Sequence, residues 1–248
     1  MDRFFVPPES LQGDTAELDR ELSHRLRHVM RLRRGDRVVL IDGRGNEFEA
    51  ELEDVSSPTI RAAILQRREG LPEPLVRVVL YQSVIKGDRF DWVLEKGTEL
   101  GVAKFVPLLS QRGVIQPRTG RIERRERWRR IITEAAEQCG RSFLPELSPT
   151  TTFDEALESS EGLLLLPWEG ERQTSLRQAL RKAMARGKKT PAVSIFVGPE
   201  GGFARQEVDR AVDLGAQTVS LGPRILRSET AGIVASAAVL YDLGELGA

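Results

Sequence analysis

Two strand–turn–helix units placed back to back between residues 193 and 232 constrain the fold of this chain more than any other feature. The first begins with the apolar run Val193–Val197, which is typical of a buried strand. A turn rich in glycine and proline follows at 198–203. After it, Val208 and Ala211 belong to an apolar pattern with helical spacing, so a helix is predicted there.

The second unit repeats this arrangement with a short strand at 218–221, a Gly-Pro turn at 222–227 and a helix to about Tyr241 that Ser228 can cap. Upstream, a strand–helix–strand pattern at 75–108 predicts a parallel crossover. The chain is therefore predicted to be an α/β protein. Because ligands of open parallel sheets bind beyond the carboxyl ends of the strands, the two turns are candidate binding loops.

Strand patterns dominate the residues before position 70. The apolar residues within 36–41 and within 59–65 predict two strands. At 47–53, apolar residues alternate with four glutamates, which indicates a strand whose glutamates face solvent. Residues 16–32 have leucines at helical spacing among arginines and predict a basic helix.

The segment 66–74 contains one glycine and two prolines and is the best linker in the chain. We therefore expect a small β domain at residues 1–70 and a second domain at residues 75–248.

The whole-chain properties are typical of a globular protein without a membrane partner. The 248 residues carry no net formal charge, and the apolar runs are far shorter than a membrane span. The N-terminus lacks the apolar stretch of a signal peptide. Cys139 is the only cysteine, which fits a reducing cytoplasm. His24 and His28 have no third ligand at a zinc-like spacing, so no metal is expected.

Positive charge is concentrated in two stretches. Residues 20–37 and residues 118–130 each contain seven arginines against two acidic residues. Such patches suggest a polyanion partner, and Arg25, Arg27 and Arg31 have the chemistry of phosphate contacts. Solvated helix faces on an arginine-rich protein are the alternative explanation.

The turn at 198–203 does not match the common phosphate-binding motifs. It is not G-x-G-x-x-G, no Asp or Glu ends the next strand to hold a ribose, and no G-K-[ST] follows. The chain also lacks H-E-x-x-H and G-x-S-x-G. Either the turn is only structural, or it holds a small-molecule cofactor through backbone groups.

At this point several blocks resemble a known family. Gly-Pro-Glu-Gly-Gly-Phe at 198–203 and Leu-Gly-Pro-Arg-Ile-Leu-Arg-Ser-Glu-Thr-Ala at 221–231 resemble the cofactor-binding signature of the ribosomal RNA small subunit methyltransferase E family, which belongs to the SPOUT superfamily. The blocks at 28–32, 96–102 and 137–141 resemble other segments of the same family. The resemblance covers nearly the whole chain in the expected order.

The resemblance implies an architecture and an activity. The fold would be a SPOUT-type parallel sheet with a C-terminal trefoil knot, preceded by a PUA-like β-barrel. The protein would be a cytoplasmic homodimer that transfers a methyl group from S-adenosylmethionine to N3 of a uridine in 16S rRNA of the small ribosomal subunit.

The resemblance also implies roles for individual residues. If the acceptor is uridine N3, Arg227 would stabilise negative charge on the uracil. Glu229 or Glu200 would accept the proton or would only hold the arginine in place, and Glu229 also suits a helix N-terminus for structural reasons. The expected cofactor-binding residues are Leu166, Pro167, Gly198, Glu200, Gly201, Gly202, Leu221, Gly222, Ile225 and Leu226. The expected RNA-binding residues are Arg25, Arg27, Arg31, Arg112 and Arg141.

Three other functions remain open from the sequence. The chain could be an RNA-binding protein that has lost its chemistry, or a nucleotide-dependent oxidoreductase, although the ribose-binding acid is missing. It could also methylate another acceptor, such as a ribose 2′-hydroxyl, because the cofactor motif does not identify the acceptor atom.

Overall fold

The computed structural model describes residues 1–113, 121–185 and 192–247, with only the backbone given for residues 121–123. The chain divides into two compact units. The first comprises Met1–Glu73 and Thr133–Leu144, and the second comprises Pro74–Ile132 and Pro145–Ala248.

The first unit is built on a six-stranded sheet with the strand order β1-β4-β5-β6-β3-β2. Its strands are β1 Arg3–Phe5, β2 Leu11–Gln12, β3 Thr15–Leu18, β4 Arg37–Ile41, β5 Asn46–Asp54 and β6 Ile60–Glu69. The pair β1–β4 is parallel and the other pairs are antiparallel. A buried cluster that includes Phe4, Leu40 and Leu52 forms the core of this unit.

The predicted basic helix at 16–32 is wrong in its first part. Residues Thr15–Leu18 form β3 and pair antiparallel with β6, which buries Ala16 and Leu18. Helix α1 (Arg20–His24) begins only after Asp19, whose carboxylate accepts a hydrogen bond from the Leu22 N–H. A π-helical turn, Arg25–Val29, continues it. Pairing with a neighbouring strand has overridden the local helical pattern.

Strand β5 departs from its predicted alternation at Glu47. Ala50 and Leu52 are buried as expected, but the Glu47 carboxylate is buried too, and it accepts hydrogen bonds from Arg3, Arg68 and Ser142. The pairing of β5 with β6 shifts register between Glu49 and Ala50. Burial alone would raise the pKa of Glu47, but the hydrogen bonds and the charge of Arg3 lower it to about 2.

The block at 137–141 is structural within the first unit. Glu137 accepts hydrogen bonds from the Phe5 N–H at 3.1 Å and from Arg25 at 3.0 Å. Arg141 is buried and forms an ion pair with Glu73. These contacts hold the segment that ends in Leu144 against the N-terminal sheet of the same unit.

The second unit contains a parallel sheet with the order β10-β8-β7-β12-β11-β13, and β9 pairs with β8. Its strands are β7 Arg77–Ser83, β8 Lys104–Leu109, β9 Glu146–Leu147, β10 Thr151–Thr152, β11 Leu163–Pro167, β12 Ala192–Val197 and β13 Gln217–Val219. Its helices are α2 Arg89–Leu100, α3 Arg121–Cys139, α4 Phe153–Glu158, α5 Leu176–Ala185, α6 Arg205–Asp213 and α7 Ser228–Asp242, although the end of α3 belongs to the first unit.

Apolar side chains cover both faces of this sheet. Along β7, Val78 and Leu80 belong to one buried cluster, while Val79 and Tyr81 belong to another. The first cluster includes residues of α2, α5 and α7, and the second includes residues of α4 and α6. The predicted α/β class with a parallel sheet is therefore confirmed.

No helix in the described part of the chain combines the length and the apolar character that a membrane crossing requires.

Candidate active site

A cavity of about 580 Å³ opens beyond the carboxyl ends of β11, β12 and β13 in the second unit. Three loops line it: 167–172 after β11, 197–203 after β12 and 220–229 after β13. The volume lies within the range of small-molecule sites, roughly 300 to 1,000 Å³. The cavity therefore lies at the carboxyl edge of the sheet, the edge at which the sequence predicts binding loops.

Most of the cofactor-binding residues expected from the sequence lie on the cavity wall. Those on the wall are Pro167, Gly198, Glu200, Gly201, Gly202, Leu221, Gly222, Ile225 and Leu226. Leu166 is the exception, because its side chain is wholly buried in the core beneath α4 and α6. Since successive residues of a strand point to opposite faces, Leu166 supports the sheet rather than the wall.

Glycine is required at two positions of these loops. A Cβ on Gly198 would lie 3.0 Å from the Phe203 backbone nitrogen and 3.1 Å from the Gly202 carbonyl carbon. Gly222 has a φ of +117°, a conformation that residues with a side chain rarely adopt. The loops can therefore keep their main chain on the cavity wall only with these glycines.

Ser228 joins three of the segments around the cavity. Its hydroxyl donates to the main-chain carbonyl of Gly198 and accepts from Gln82 Nε2 at 2.9 Å. The prediction that Ser228 caps α7 is wrong, because Arg227 occupies the N-cap position and Ser228 is the first helical residue. The hydroxyl thus links the ends of β7 and β12 to the start of α7.

Two carboxylates and one arginine form an ion cluster on the cavity wall. Arg89 donates from Nη2 to Glu200 Oε1 at 2.6 Å, and its Nη1 lies 3.9 Å from Glu229 Oε2. Glu200 also accepts a hydrogen bond from the Lys86 N–H at 3.3 Å. Glu229 is buried, and its Oε2 has no hydrogen-bond partner among the described residues. Glu229, which lines the cavity, is therefore the less engaged of the two carboxylates.

Arg227 lies on the same wall with an exposed side chain. No hydrogen bond or ion pair engages that side chain within residues 1–113, 121–185 and 192–247. Its guanidinium is therefore available to a ligand in the cavity.

Sequence reasoning missed Arg89, Glu169 and Arg172, which also line the cavity. The strand–helix–strand pattern at 75–108 places Arg89 within that crossover but gives it no role at the site. The parallel pairing of β7 with β12 brings it beside the turn at 198–203. Strand order is the missing information, since apolar periodicity gives strands but not their neighbours.

The five arginines expected to bind RNA differ in their surroundings. Arg25 pairs with Glu137, Arg27 donates to the carbonyls of Val55 and Ser57, and Arg141 is buried against Glu73. Arg31 is exposed, and Arg112 is exposed while donating to the Gly201 carbonyl at 3.0 Å. Burial of Arg141 in an ion pair argues against a phosphate contact there.

The second basic stretch is only partly described. Arg118 and the side chain of Arg121 lie outside the described residues. Arg127 donates to Asp88 at 2.9 Å and to Asp91, and Arg125 donates to the Leu147 carbonyl at 3.3 Å. These two arginines therefore make structural contacts in the second unit.

Comparison with protein families and known proteins agrees with this geometry. An RNA methyltransferase domain matches residues 71–240, and an RNA methyltransferase PUA domain matches residues 18–65. The chain is 36% identical to ribosomal RNA small subunit methyltransferase E of Synechocystis over 96% of its own length and 76% of that protein. It is 30% identical to the Bacillus subtilis protein of the same name, over 98% and 97% of the two chains.

Solved structures give the same result. A crystal structure of ribosomal RNA small subunit methyltransferase E from Neisseria gonorrhoeae bound to S-adenosylmethionine has a TM-score of 0.83 and 32% identity, with 97% of each chain covered. A Legionella pneumophila protein solved in complex with the same cofactor has a TM-score of 0.86 and 30% identity, with 96% of each chain covered.

Proposed function

Because this chain belongs to the ribosomal RNA small subunit methyltransferase E family and is an S-adenosylmethionine-dependent rRNA methyltransferase, we propose that it methylates N3 of a uridine in 16S rRNA. The observation that carries the proposal is that Glu229 and Arg227 both line the same cavity. Uridine N3 is an imide nitrogen between two carbonyl groups. Its methylation needs an acceptor for one proton and a cation near a carbonyl oxygen, and this wall offers both.

The cavity fits S-adenosylmethionine by its size and its lining. Leu221, Ile225 and Leu226 offer apolar surface for an adenine, and the glycines of the 198–203 turn bring main-chain groups close to a ligand. Glu169 and Arg172 add a carboxylate and a guanidinium that can hold the charged groups of the methionine portion. When bound, the cofactor supplies an activated methyl group.

We propose Glu229 rather than Glu200 as the proton acceptor. Glu200 already accepts hydrogen bonds from Arg89 and from the Lys86 N–H, whereas Glu229 Oε2 has no donor among the described residues. Glu229 takes the N3 proton, the nitrogen electron pair forms the bond to the methyl carbon, and the electrons of the broken carbon–sulfur bond remain on sulfur. Arg227 stabilises the charge that spreads onto the uracil oxygens.

We propose that RNA is held through phosphate contacts of both units. The exposed arginines Arg31 and Arg112 are the best placed, and Arg25 and Arg27 keep part of their surface accessible. We assign residues 1–70 to a PUA-like RNA-binding β-barrel and residues 75–248 to the methyltransferase domain. Such contacts release counterions, so binding should weaken steeply with salt.

A C-terminal trefoil knot and a homodimer complete the proposal. The knot is supported by the position of β12 between β7 and β11, after which the chain adds β13 outside β11 and returns with α7 to pack on α2. The dimer is supported by α7, which exposes Val234 and Tyr241 although it is also packed on its other side. We expect the dimer to act in the cytoplasm, where its ribosomal substrate is assembled.

Methyl transfer from labelled S-adenosylmethionine tests the reaction. The acceptors are small ribosomal subunits from a strain that lacks the enzyme and the same rRNA stripped of protein, followed by mass analysis of the nucleosides. 3-Methyluridine is expected, and the better acceptor identifies the form of RNA that is recognised. A 2′-O-methylated nucleoside would overturn the N3 assignment, and binding of S-adenosylmethionine without transfer to either acceptor would point to another RNA.

A further inference from the structure

Arg89 contacts both carboxylates of the proposed site from a third element. It is the first residue of α2, and its Nη2 lies 2.6 Å from Glu200 Oε1 while its Nη1 lies 3.9 Å from Glu229 Oε2. Its Nε donates to the Lys86 carbonyl at 3.1 Å. The guanidinium is thus held in one orientation by the turn before α2.

The start of α2 is fixed in turn by α3. Arg127 donates to Asp88 and Asp91, the two residues that flank the Arg89–Phe90 step. The backbone and the Nε of Arg89 are therefore both restrained. Because of this, Arg89 loses little further conformational entropy when its guanidinium contacts a neighbouring carboxylate. This arrangement differs from a surface ion pair between two mobile side chains.

Glu229 is the partner that needs Arg89. Its side chain is only 10% exposed, and its Oε2 has no hydrogen-bond donor among the described residues. A buried carboxylate is unfavourable unless a cation or donors stabilise it. Glu200 is exposed and accepts a second hydrogen bond from Lys86, so it depends less on Arg89.

We propose that Arg89 is a positioning residue that holds the Glu229 carboxylate in the orientation in which it accepts the substrate proton. This inference rests on the proposed proton transfer to Glu229. The competing interpretation is that Arg89 only ties the 198–203 loop to α2 through Glu200. The two interpretations differ in the carboxylate through which Arg89 acts.

A double-mutant cycle separates them. Single-turnover methyl transfer is measured for Arg89→Met alone, in a Glu229→Gln background and in a Glu200→Gln background, together with the dissociation constant of S-adenosylmethionine. We expect Arg89→Met to lower the rate about 100-fold with less than a threefold change in cofactor affinity. In the Glu229→Gln background, Arg89→Met should lower the single-turnover rate by less than about threefold further. In the Glu200→Gln background, it should still lower that rate about 100-fold.

Arg89→Lys keeps the positive charge and should recover about tenfold of the rate lost in Arg89→Met. It replaces Arg89→Met in the double-mutant cycle if the methionine variant folds poorly. Arg210→Met is the control. It removes an exposed arginine of α6, which pairs with Glu158 at 3.6 Å, and it should leave the rate unchanged. The inference would be overturned if Arg89→Met lowered the rate equally with and without Glu229→Gln. It would also be overturned if Arg89→Met had no effect in the Glu200→Gln background. Product analysis of the unmodified enzyme is independent, because a product other than 3-methyluridine would refute the proposed function while the cycle still measures the coupling.

Discussion

Gln82 donates a hydrogen bond from Nε2 to the hydroxyl of Ser228 at 2.9 Å, although the two residues are 146 positions apart in the sequence. The same hydroxyl donates to the carbonyl of Gly198. One buried serine thus connects the end of β7, the turn after β12 and the start of α7. The cavity wall depends on this connection, because Gly198 and the first turn of α7 both belong to it.

Replacing Ser228 with alanine should loosen the cavity wall. The buried Gln82 amide and the Gly198 carbonyl would each lose a partner, at a cost of about 1 to 3 kcal/mol in the free energy of unfolding. We also expect weaker binding of S-adenosylmethionine. Urea unfolding and calorimetric titration measure the two effects. Ser228→Thr keeps the hydroxyl and is the control, so equal losses in both variants would contradict this role.

Replacing Arg227 with alanine should separate chemistry from cofactor binding. Its exposed guanidinium has no ion-pair partner among the described residues, so its removal leaves no buried charge. If it stabilises charge on the uracil, kcat should fall about 100- to 1,000-fold while the Kd of S-adenosylmethionine changes little. Arg210→Ala, which removes an exposed arginine paired with Glu158 at 3.6 Å, is the control for loss of a surface charge. A large increase in Kd for Arg227→Ala would reassign it to cofactor binding.

The sequence predicts the parallel sheet and both glycine-rich turns because their signals are local. The run Val193–Val197 and the turn at 198–203 lie where the sequence placed them, within one residue. The ion cluster was not predictable, since Arg89 meets Glu200 only through the pairing of β7 with β12. Apolar patterns identify strands, but the order of strands depends on the whole core.

Errors in the first unit have the same physical origin. Residues 16–18 have a helical pattern, yet β6 offers an edge to which they pair. Glu47 lies on the predicted solvent face of β5, yet Arg3, Arg68 and Ser142 surround it. Arginines distant in sequence made that burial favourable, and no local pattern contains them.

Adding a methyl group to Gly198 should distort the turn that follows β12. The new Cβ would lie 3.0 Å from the Phe203 nitrogen and 3.1 Å from the Gly202 carbonyl carbon, and main-chain atoms cannot move aside cheaply. We expect Gly198→Ala to lower the free energy of unfolding by about 1 to 3 kcal/mol and to weaken cofactor binding. In Gly201→Ala the new Cβ would come no closer than 3.6 Å to Arg112, so its melting temperature should stay near that of the unmodified protein. Equal destabilisation by both substitutions would contradict the clash.

The ionised Glu47, held by Arg3, Arg68 and Ser142, should make the free energy of unfolding depend on pH. Its pKa is about 2 in the folded protein against 4.5 for the free side chain, because hydrogen bonds from arginine and serine outweigh burial. A lowered folded pKa stabilises the protein above the unfolded pKa, and this stabilisation disappears as the pH falls from about 5 to 2. This difference between the folded and the free pKa corresponds to about 3 kcal/mol at most in the free energy of unfolding.

Glu47→Gln provides the comparison, since glutamine has a similar size and does not titrate. Urea unfolding between pH 7 and pH 2 should show the variant less stable at neutral pH and close to the unmodified protein at pH 2. Parallel curves over the whole range would show that Glu47 does not carry this dependence.

Arg31 and Arg141 should respond differently to replacement by alanine. Arg31 is exposed, and if it contacts a phosphate its removal should weaken binding of 16S rRNA and reduce the slope of log K against log salt by about 1. Arg141 is buried in an ion pair with Glu73, so its removal should lower the melting temperature and leave the salt slope unchanged. Filter binding at several salt concentrations and thermal unfolding measure the two quantities. A reduced salt slope for Arg141→Ala without loss of stability would restore Arg141 as an RNA contact, because the ion pair would then be dispensable to the fold.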